Sequence, residues 1–545
     1  MDWSQNIVIM LDGKTLQKET AASEKHLWVR LTKLCNNNCI FCLDKESQDG
    51  TSIPTREIYK QLENGRADGA SRLILSGGEA TLHPEFFSIV RRGKSLGFRR
   101  VQVVSNGRMF AYPDFLANAA AAGLDEITFS MHGHTPELHD AQTRAPGSFS
   151  QALAGLTNAL NSGRFIVNVD IVINRFNYNV IDKIMDYFIG LGVHEFDLLH
   201  VTPYGEAWNH KNKVFYDIAD GIKFLNKAFA YSRRDDLFVW TNRFPPSYLA
   251  AFPELIQNPL KIKDEVRGRM DLFDAFLKGD AELPCRGKRC DFCFLRGLCD
   301  DLFRSKEAAD SGSTAALRVP ASGLSAAKRF INNSLRLLIV HGSSVDDMNL
   351  SPSAFPAGAA LRFELADYSG FTSFRNRLPN KNVTACAPDA KQLEAVLSAT
   401  GVTPALELNA RGAPLIKIEF NFVKKHGIRL YNKNRASLAE SAENDVELRG
   451  FFRGALGKSL KTENIPACVA DASQGLQTWF LDFEALDRRG GIDMQKLADS
   501  FVMNRYYIFP FECGSCAKKN LCPGIHVNYC RAFGFKPKPF AAAKK

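Results

Sequence analysis

From residue 27 onward, short runs of β-branched and aromatic residues alternate with longer stretches in which apolar side chains recur at helical spacing. Alternation with a period of two suits a strand and a period near 3.6 suits a helix. The pattern therefore predicts parallel strands joined by crossover helices. Six units can be counted, with strands LWVRLT from Leu27, RLILS from Arg72, RVQVVS from Arg100, EITFS from Glu126, FIVNVDIVI from Phe165 and EFDLLHV from Glu195. Pro54 stands at the first turn of one intervening helix, and Gly97 follows the end of another. Beyond Tyr204 the six-unit pattern gives way to an aromatic-rich helical region containing FPPSYLAAFPEL. Residues 305–327, rich in Ala, Ser and Gly, read as a linker. A second α/β pattern starts with LRLLIVHG at Leu335 and continues through ALRFELADY, a helix over 390–398 and LIKIEFNFV, the last expected to be a strand.

In α/β barrels the chemistry gathers at the C-terminal ends of the strands. Here the first strand runs into Cys35, Cys39 and Cys42, within LTKLCNNNCIFCLDK, and the second into Ser76, Gly77, Gly78 and Glu79. Ser105, Asn106 and Gly107 follow the third, and Ser130, Met131 and His132 the fourth. Asn174 and Arg175 end the fifth, and His200, Thr202, Pro203, Tyr204 and Gly205 the sixth. Three thiolates at these spacings can each bind one iron of a cubic cluster and leave the fourth iron without a protein ligand. A zinc knuckle wants a closed tetrahedron, and nothing nearby in the sequence completes one. Paired glycines let a backbone approach a ligand closely, and Glu79 can accept a hydrogen bond from an ammonium group. His132, His134, His139 and Asp140 form a polar stretch expected to open over the barrel mouth. Their spacing gives the three His no common helical face for zinc, so substrate or cofactor contact is the expectation. No single residue stands out as catalytic acid, base or radical relay.

A chain of 545 residues exceeds one compact core and implies two or three domains. It has no apolar run long enough for a membrane span and no signal-like N-terminus, so the expected location is cytoplasmic. Of 13 Cys, eleven fall in three bunches, which points to metal sites and not to disulfides. The second bunch, Cys285, Cys290, Cys293 and Cys299, has enough thiolates for a whole [4Fe–4S] cluster, with structural zinc as the competing occupant. The third is Cys513, Cys516, Cys522 and Cys530, and both contain a C-x2-C-x5-C core. Cys386 and Cys468 stand apart and read as structural thiols. The net charge of +10 suggests an anionic partner such as an acidic peptide, while the lack of an aromatic-interleaved basic stripe argues against nucleic acid.

C-x3-C-x2-C with Phe41 before its last Cys resembles the signature of the radical S-adenosylmethionine (radical SAM) superfamily. The resemblance implies a partial (β/α)6 TIM-like barrel whose open iron chelates S-adenosylmethionine, with reductive cleavage to a 5′-deoxyadenosyl radical. It further implies that Gly77, Gly78 and Glu79 hold the methionine amino group and that Ser105, Asn106 and Ser130 meet the rest of the cofactor. A low-potential flavodoxin- or ferredoxin-like reductant would supply the electron. The C-x2-C-x5-C cores resemble the SPASM extension of peptide- and protein-modifying members, which implies two auxiliary [4Fe–4S] clusters and a peptide or protein substrate. Seven residues separate Cys522 from Cys530, where that extension usually has three. The rivals are a small-molecule biosynthetic step and, in another class, an electron-transfer protein, which has no need of a GGE motif. No cobalamin-binding segment precedes the barrel and no Gly-Gly ending follows, which sets the expectation against those subfamilies. The chain then divides into a lead (1–26), the barrel (27–245) and a helical Cys-rich segment (246–304). The linker (305–327), an α/β domain of unassigned role (328–510) and a SPASM-like Cys-rich segment (511–545) follow.

Overall fold

The structure is a computed structural model that describes residues 13–380, 382–453, 459–470 and 478–540. The first twelve residues of the expected lead and the last five of the Cys-rich segment lie outside them. The class is α/β, as expected, with two consecutive parallel sheets. In the first, β1 (His26–Thr32), β2 (Arg72–Gly77), β3 (Arg100–Ser105), β4 (Glu126–Ser130), β5 (Ile166–Ile173), β6 (Glu195–His200) and β7 (Phe238–Asn242) lie side by side in chain order. Every neighbouring pair is parallel, and β1 and β7 do not pair, so the barrel is partial and unclosed. The six expected strands are all present; β7 is an addition. Its sequence FVWTN lies inside the aromatic-rich stretch, where apolar residues are too dense for alternation to stand out.

The crossover helices show why the pattern was readable. In Ile181–Gly190 the buried residues are Ile181, Ile184, Met185 and Phe188, one stripe at helical spacing. In Phe86–Ser95 they are Phe86, Ile89, Val90 and Gly93. Each fully buried large apolar side chain contributes about 1.5–3 kcal/mol. These stripes pack against strand residues such as Leu73, Val101, Ile127 and Val169, all without solvent exposure.

The second sheet consists of β8 (Ala316–Pro320), β9 (Leu337–Gly342), β10 (Ala360–Leu365), β11 (Val383–Ala387), β12 (Val402–Glu407), β13 (Arg429–Tyr431), β14 (Thr462–Glu463) and β15 (Leu481–Asp482). Their order is β14-β13-β12-β11-β10-β9-β8-β15, again parallel throughout. A small antiparallel hairpin, β16 (Tyr507–Ile508) with β17 (Ile525–His526), follows it.

Two sequence expectations fail here. The supposed linker contains the end of helix Arg296–Ser311 and the strand β8. Ala is the best helix former, and ALRVP is a short buried strand, so low aromatic content alone did not signal a flexible tether. LIKIEFNFV forms two helices, Ala413–Ile418 and Phe420–Lys425, in place of a strand. Its alternation is deceptive, because the helices bury Ile416 and Val423 while Ile418 stays 77% exposed.

Candidate functional site

A shift in register between Arg30 and Thr32 ends β1 just before the Cys-bearing loop. From there the loop is tied down on three sides. Its start is stitched to the GGE turn by Gly78 N–H donating to Thr32 O and Glu79 N–H to Leu34 O, both at 2.7 Å. Its middle is held by Asn38 N–H to Thr143 O and Ile40 N–H to Gln142 O, both at 2.9 Å. Its end meets the turn after β6, where Glu206 N–H donates to Cys42 O at 3.0 Å. The glycines are required by contact: a Cβ on Gly78 would stand 2.2 Å from Leu34 O, and one on Gly77, at φ +138°, 2.5 Å from Thr32 O.

Cys35, Cys39 and Cys42 are all partly exposed. Burial pushes the Cys35 thiol up to about 11, and Cys39 and Cys42 upward as well. As bare thiols they are poor nucleophiles at neutral pH, and a strongly cationic partner would reverse that preference. Asn37 N–H points at Cys35 Sγ (3.4 Å) and Gln48 Nε2 at Cys42 Sγ (3.5 Å), the kind of donor that stabilises cluster-bound sulfur. Among the described residues, no three His, Cys, Asp or Glu side chains stand within reach of one shared ion, so a single-zinc knuckle is not preformed. Three thiols on one tethered loop beside two close-approach glycines fit an iron–sulfur cluster with an amino-acid ligand.

Glu79 is 1% exposed and both of its carboxylate oxygens accept hydrogen bonds, Oε2 only one. Oε1 accepts from Thr81 N–H (3.1 Å), Thr81 Oγ1 (2.5 Å) and Ser105 Oγ (2.8 Å), and Oε2 from Asn106 N–H (2.7 Å). As folded, this carboxylate couples the ends of β2 and β3, and through Asn106 Nδ2 to Asn36 Oδ1 (2.6 Å) it reaches the Cys loop. Ser130, at the end of β4, pairs in register with Asp170 and hydrogen-bonds its side chain. Gly77, Gly78, Glu79, Ser105, Asn106 and Ser130 thus share one rim with the three Cys.

The His-rich stretch departs from expectation. It is not an open loop, since residues Pro136–Thr143 form a helix. His132 and His139 are buried, with burial depressing both, and they stack at 5.8 Å. His132 also packs edge-on against Phe41 (4.7 Å), which makes this pair a cushion under the Cys loop.

Four residues that the sequence reading passed over shape the site. Arg144, at φ +50° in the left-handed region, donates to Asn38 O (2.6 Å) and pairs with Glu206 (2.5 Å), clamping the loop to the segment after β6. Arg108 donates to Asn36 O (2.5 Å) and Asn37 Oδ1 (3.0 Å). Asp170 and Asp197 are register partners inside the barrel; burial raises Asp170 to about 7 and Asp197 to about 6. The available signal was a lone Asp in the middle of each apolar strand, in VNVDIVI and EFDLLH.

Cys285, Cys290, Cys293 and Cys299 come together beside the segment that follows β6. Cys299 is raised to about 12, by burial first and then by the neighbouring Cys293, Cys285 and Cys290. Tyr204, just before the turn that holds Cys42 O, hydrogen-bonds Cys285 and lies under Arg269 at 4.5 Å. The third bunch is split. Cys513, Cys516 and Cys522 line one pocket together with Cys468, which the sequence reading had set aside as structural. Cys530 is instead fully buried in helix Val527–Phe533, packed in the apolar core. Proximity in sequence suggested the fourth thiol; helical periodicity turned it inward.

Residues 29–188 match the model of the Radical SAM superfamily. A "Probable GTP 3',8-cyclase" of Saccharolobus islandicus is 31% identical over 180 residues, covering 33% of this chain and 58% of that protein. Another of the same name, from Sulfurisphaera tokodaii, is 26% identical over 217 residues, 38% of this chain and 68% of that protein. Among solved structures, Streptococcus suis SuiB bound to precursor peptide SuiA aligns with 16% identity and a TM-score of 0.36, over 45% of this chain and 55% of that one. The chain thus spans little more than half the length of the first of these curated relatives. The segment from residue 29 to residue 188, which carries the Cys loop, the GGE turn and most of the rim, is the part of the chain that resembles the Radical SAM superfamily.

Proposed function

We propose that the whole chain is a radical SAM enzyme whose substrate is a peptide or protein side chain, with two further thiol sets holding auxiliary iron–sulfur clusters. The observation that carries this reading is the Cys35–Cys39–Cys42 loop hydrogen-bonded into the glycine and Glu79 turn at one rim. When bound, the cluster and S-adenosylmethionine supply reductive sulfonium cleavage and a hydrogen-abstracting radical. The protein's part is to hold and orient. Cys35, Cys39 and Cys42 carry the cluster, and the Gly77–Gly78 backbone gives the methionine end close approach. Glu79 fixes the strand ends and offers negative charge to the ammonium, while Ser105, Asn106 and Ser130 line the rest. Arg144 and Arg108 keep the loop in place. The unclosed barrel between β1 and β7 and the four-thiol set beside Tyr204 support an extended substrate and electron removal by an auxiliary cluster. A low-potential flavodoxin- or ferredoxin-like protein would deliver electrons.

A second reading, a small-molecule substrate, is favoured by the named activity of the relatives at 31% identity over 180 residues. The deciding experiment uses anaerobically reconstituted, reduced protein with S-adenosylmethionine. Formation of 5′-deoxyadenosine supports radical chemistry, and its absence with full iron loading would leave the electron-transfer alternative. Offered in parallel, peptides encoded beside the gene and guanosine triphosphate separate the two substrate classes by which one is consumed into a new chromatographic product, a cyclised nucleotide being an isomer of unchanged mass.

A further inference from the structure

The pocket below the hairpin β16–β17 has a chemistry that the third Cys bunch alone does not explain. Cys513 lies within the turn Phe511–Ser515 and Cys516 directly follows it, Cys522 follows a second turn, and Cys468 arrives after Pro466 and Ala467. Phe509 and Pro510 complete an apolar wall. Backbone donors point at the sulfurs: Ala467 N–H to Cys522 Sγ (3.4 Å), Gly524 N–H to Cys522 Sγ (3.5 Å) and Phe540 N–H to Cys516 Sγ (3.4 Å). Arg449 Nη2 reaches Cys468 Sγ at 3.9 Å. Four half-buried thiols, amide donors and a guanidinium form a cradle for a compact anionic group bound through sulfur. The Cys513 thiol is pushed up to about 12, by burial first and then by Cys468, Cys522 and Cys516. For Cys530, burial is the whole cause of its upward shift.

We infer that Cys468, and not Cys530, is the fourth protein thiolate of an iron–sulfur cluster held with Cys513, Cys516 and Cys522. This rests on the reading above that the distal segments hold clusters, and adds that the C-terminal one is closed by a residue from the second sheet's last crossover. All four irons then have protein ligands, so this cluster serves electron transfer or shape and has no open coordination position for substrate.

The test uses the full chain reconstituted anaerobically, with iron, sulfide and zinc analysis and Mössbauer spectra of the parent, Cys468→Ser, Cys513→Ser and Cys530→Ala. Cys468→Ser and Cys513→Ser are expected each to lose up to four irons, or to show a cluster with altered Mössbauer parameters, while Cys530→Ala keeps the parent iron and spectrum. Parent-like iron and spectrum in Cys468→Ser beside a loss in Cys513→Ser would overturn this assignment and leave the cluster reading intact. So would loss of a cluster in Cys530→Ala with an unchanged circular dichroism melt. Unchanged iron in Cys513→Ser, with one zinc per chain in the parent, would sink the cluster reading itself and this inference with it.

Discussion

The two sheets share a topology and differ at their rims. In both, parallel strands lie mostly in chain order, and both are followed by a C-x2-C-x5-C core. The first rim presents thiols, glycines, Ser105 and Asn106. The second is plugged. Arg435 donates to Glu407 at the end of β12 and to Asp445, each at 2.8 Å, and all three are buried. Asn528 Nδ2 donates to Arg435 O (2.9 Å) and Tyr507 OH to Asn434 Oδ1 (2.9 Å), so the hairpin and helix Val527–Phe533 sit over these strand ends. These ion pairs occupy the end of β12 with side chains that bond one another. Topology supplies a rim, and the residues at the strand ends decide whether it becomes a site or a seal.

The sharpest way to break this comparison is to replace Cys35, Cys39 and Cys42 by Ala. Cleavage of S-adenosylmethionine is expected to fall below detection with a loss of about four irons per chain, and chromatographic detection of 5′-deoxyadenosine reads it. Residual cleavage would mean that the first rim is not the site. At the sealed rim, Arg435→Met strands two buried carboxylates and is expected to cost about 3–5 kcal/mol of stability. Denaturant melts measure this, and the cleavage rate per folded molecule should not change; a fall in that rate would show that the second rim takes part in chemistry.

Glu79→Gln removes one charge from the first rim while keeping its volume. A charged hydrogen bond is worth about 1.5–3 kcal/mol, so S-adenosylmethionine affinity by calorimetry should weaken by roughly tenfold or more, with iron content retained. Arg144→Lys keeps a positive charge and loses the forked contact to Asn38 and Glu206, so a smaller drop in affinity and faster loss of iron to a chelator are expected.

A further test concerns Asp170, which faces Ser130, Asp197 and Arg243 inside the first barrel and is raised to about 7 by burial. The unfolded carboxyl titrates near 3.9. A folded value above that binds the proton more tightly in the native state, so its stabilising contribution is complete below about pH 4. It is lost as pH rises toward 7. Thermal melts across this range should decline for the parent and flatten for Asp170→Asn; parallel curves would show that Asp170 is ionised in the folded protein throughout.

How much of this was legible follows physical lines. Strands β1–β6 and the rim residues were readable because burial on two faces forces β-branched runs, and thiols and glycines have few uses at strand ends. Sequence reading failed where apolar residues carry no period, as in FVWTN, or a false one, as in LIKIEFNFV. It also failed where partners lie far apart in the chain. Cys468 lies far from Cys513 in sequence yet lines the same pocket, whereas Cys530, near in sequence, is buried in the core. Arg144 and Arg108 were missed for a related reason: their work is done on backbone carbonyls of a loop whose path the sequence does not reveal.

One contact bears on how the molecule is made. Arg531, in the helix after the hairpin, is 4% exposed at its side chain and pairs with Glu19 in helix Gly13–Ser23, while its Nε–H donates to Ile256 O at 3.1 Å. Glu19 and Arg531 are 512 positions apart. At about 5–20 residues per second, a ribosome needs roughly half a minute to two minutes to cover that distance. Until residue 531 has been made, the ion pair beside β7 cannot form. The N-terminal helix and the helix after the hairpin can therefore be joined only after both sheets have been synthesised.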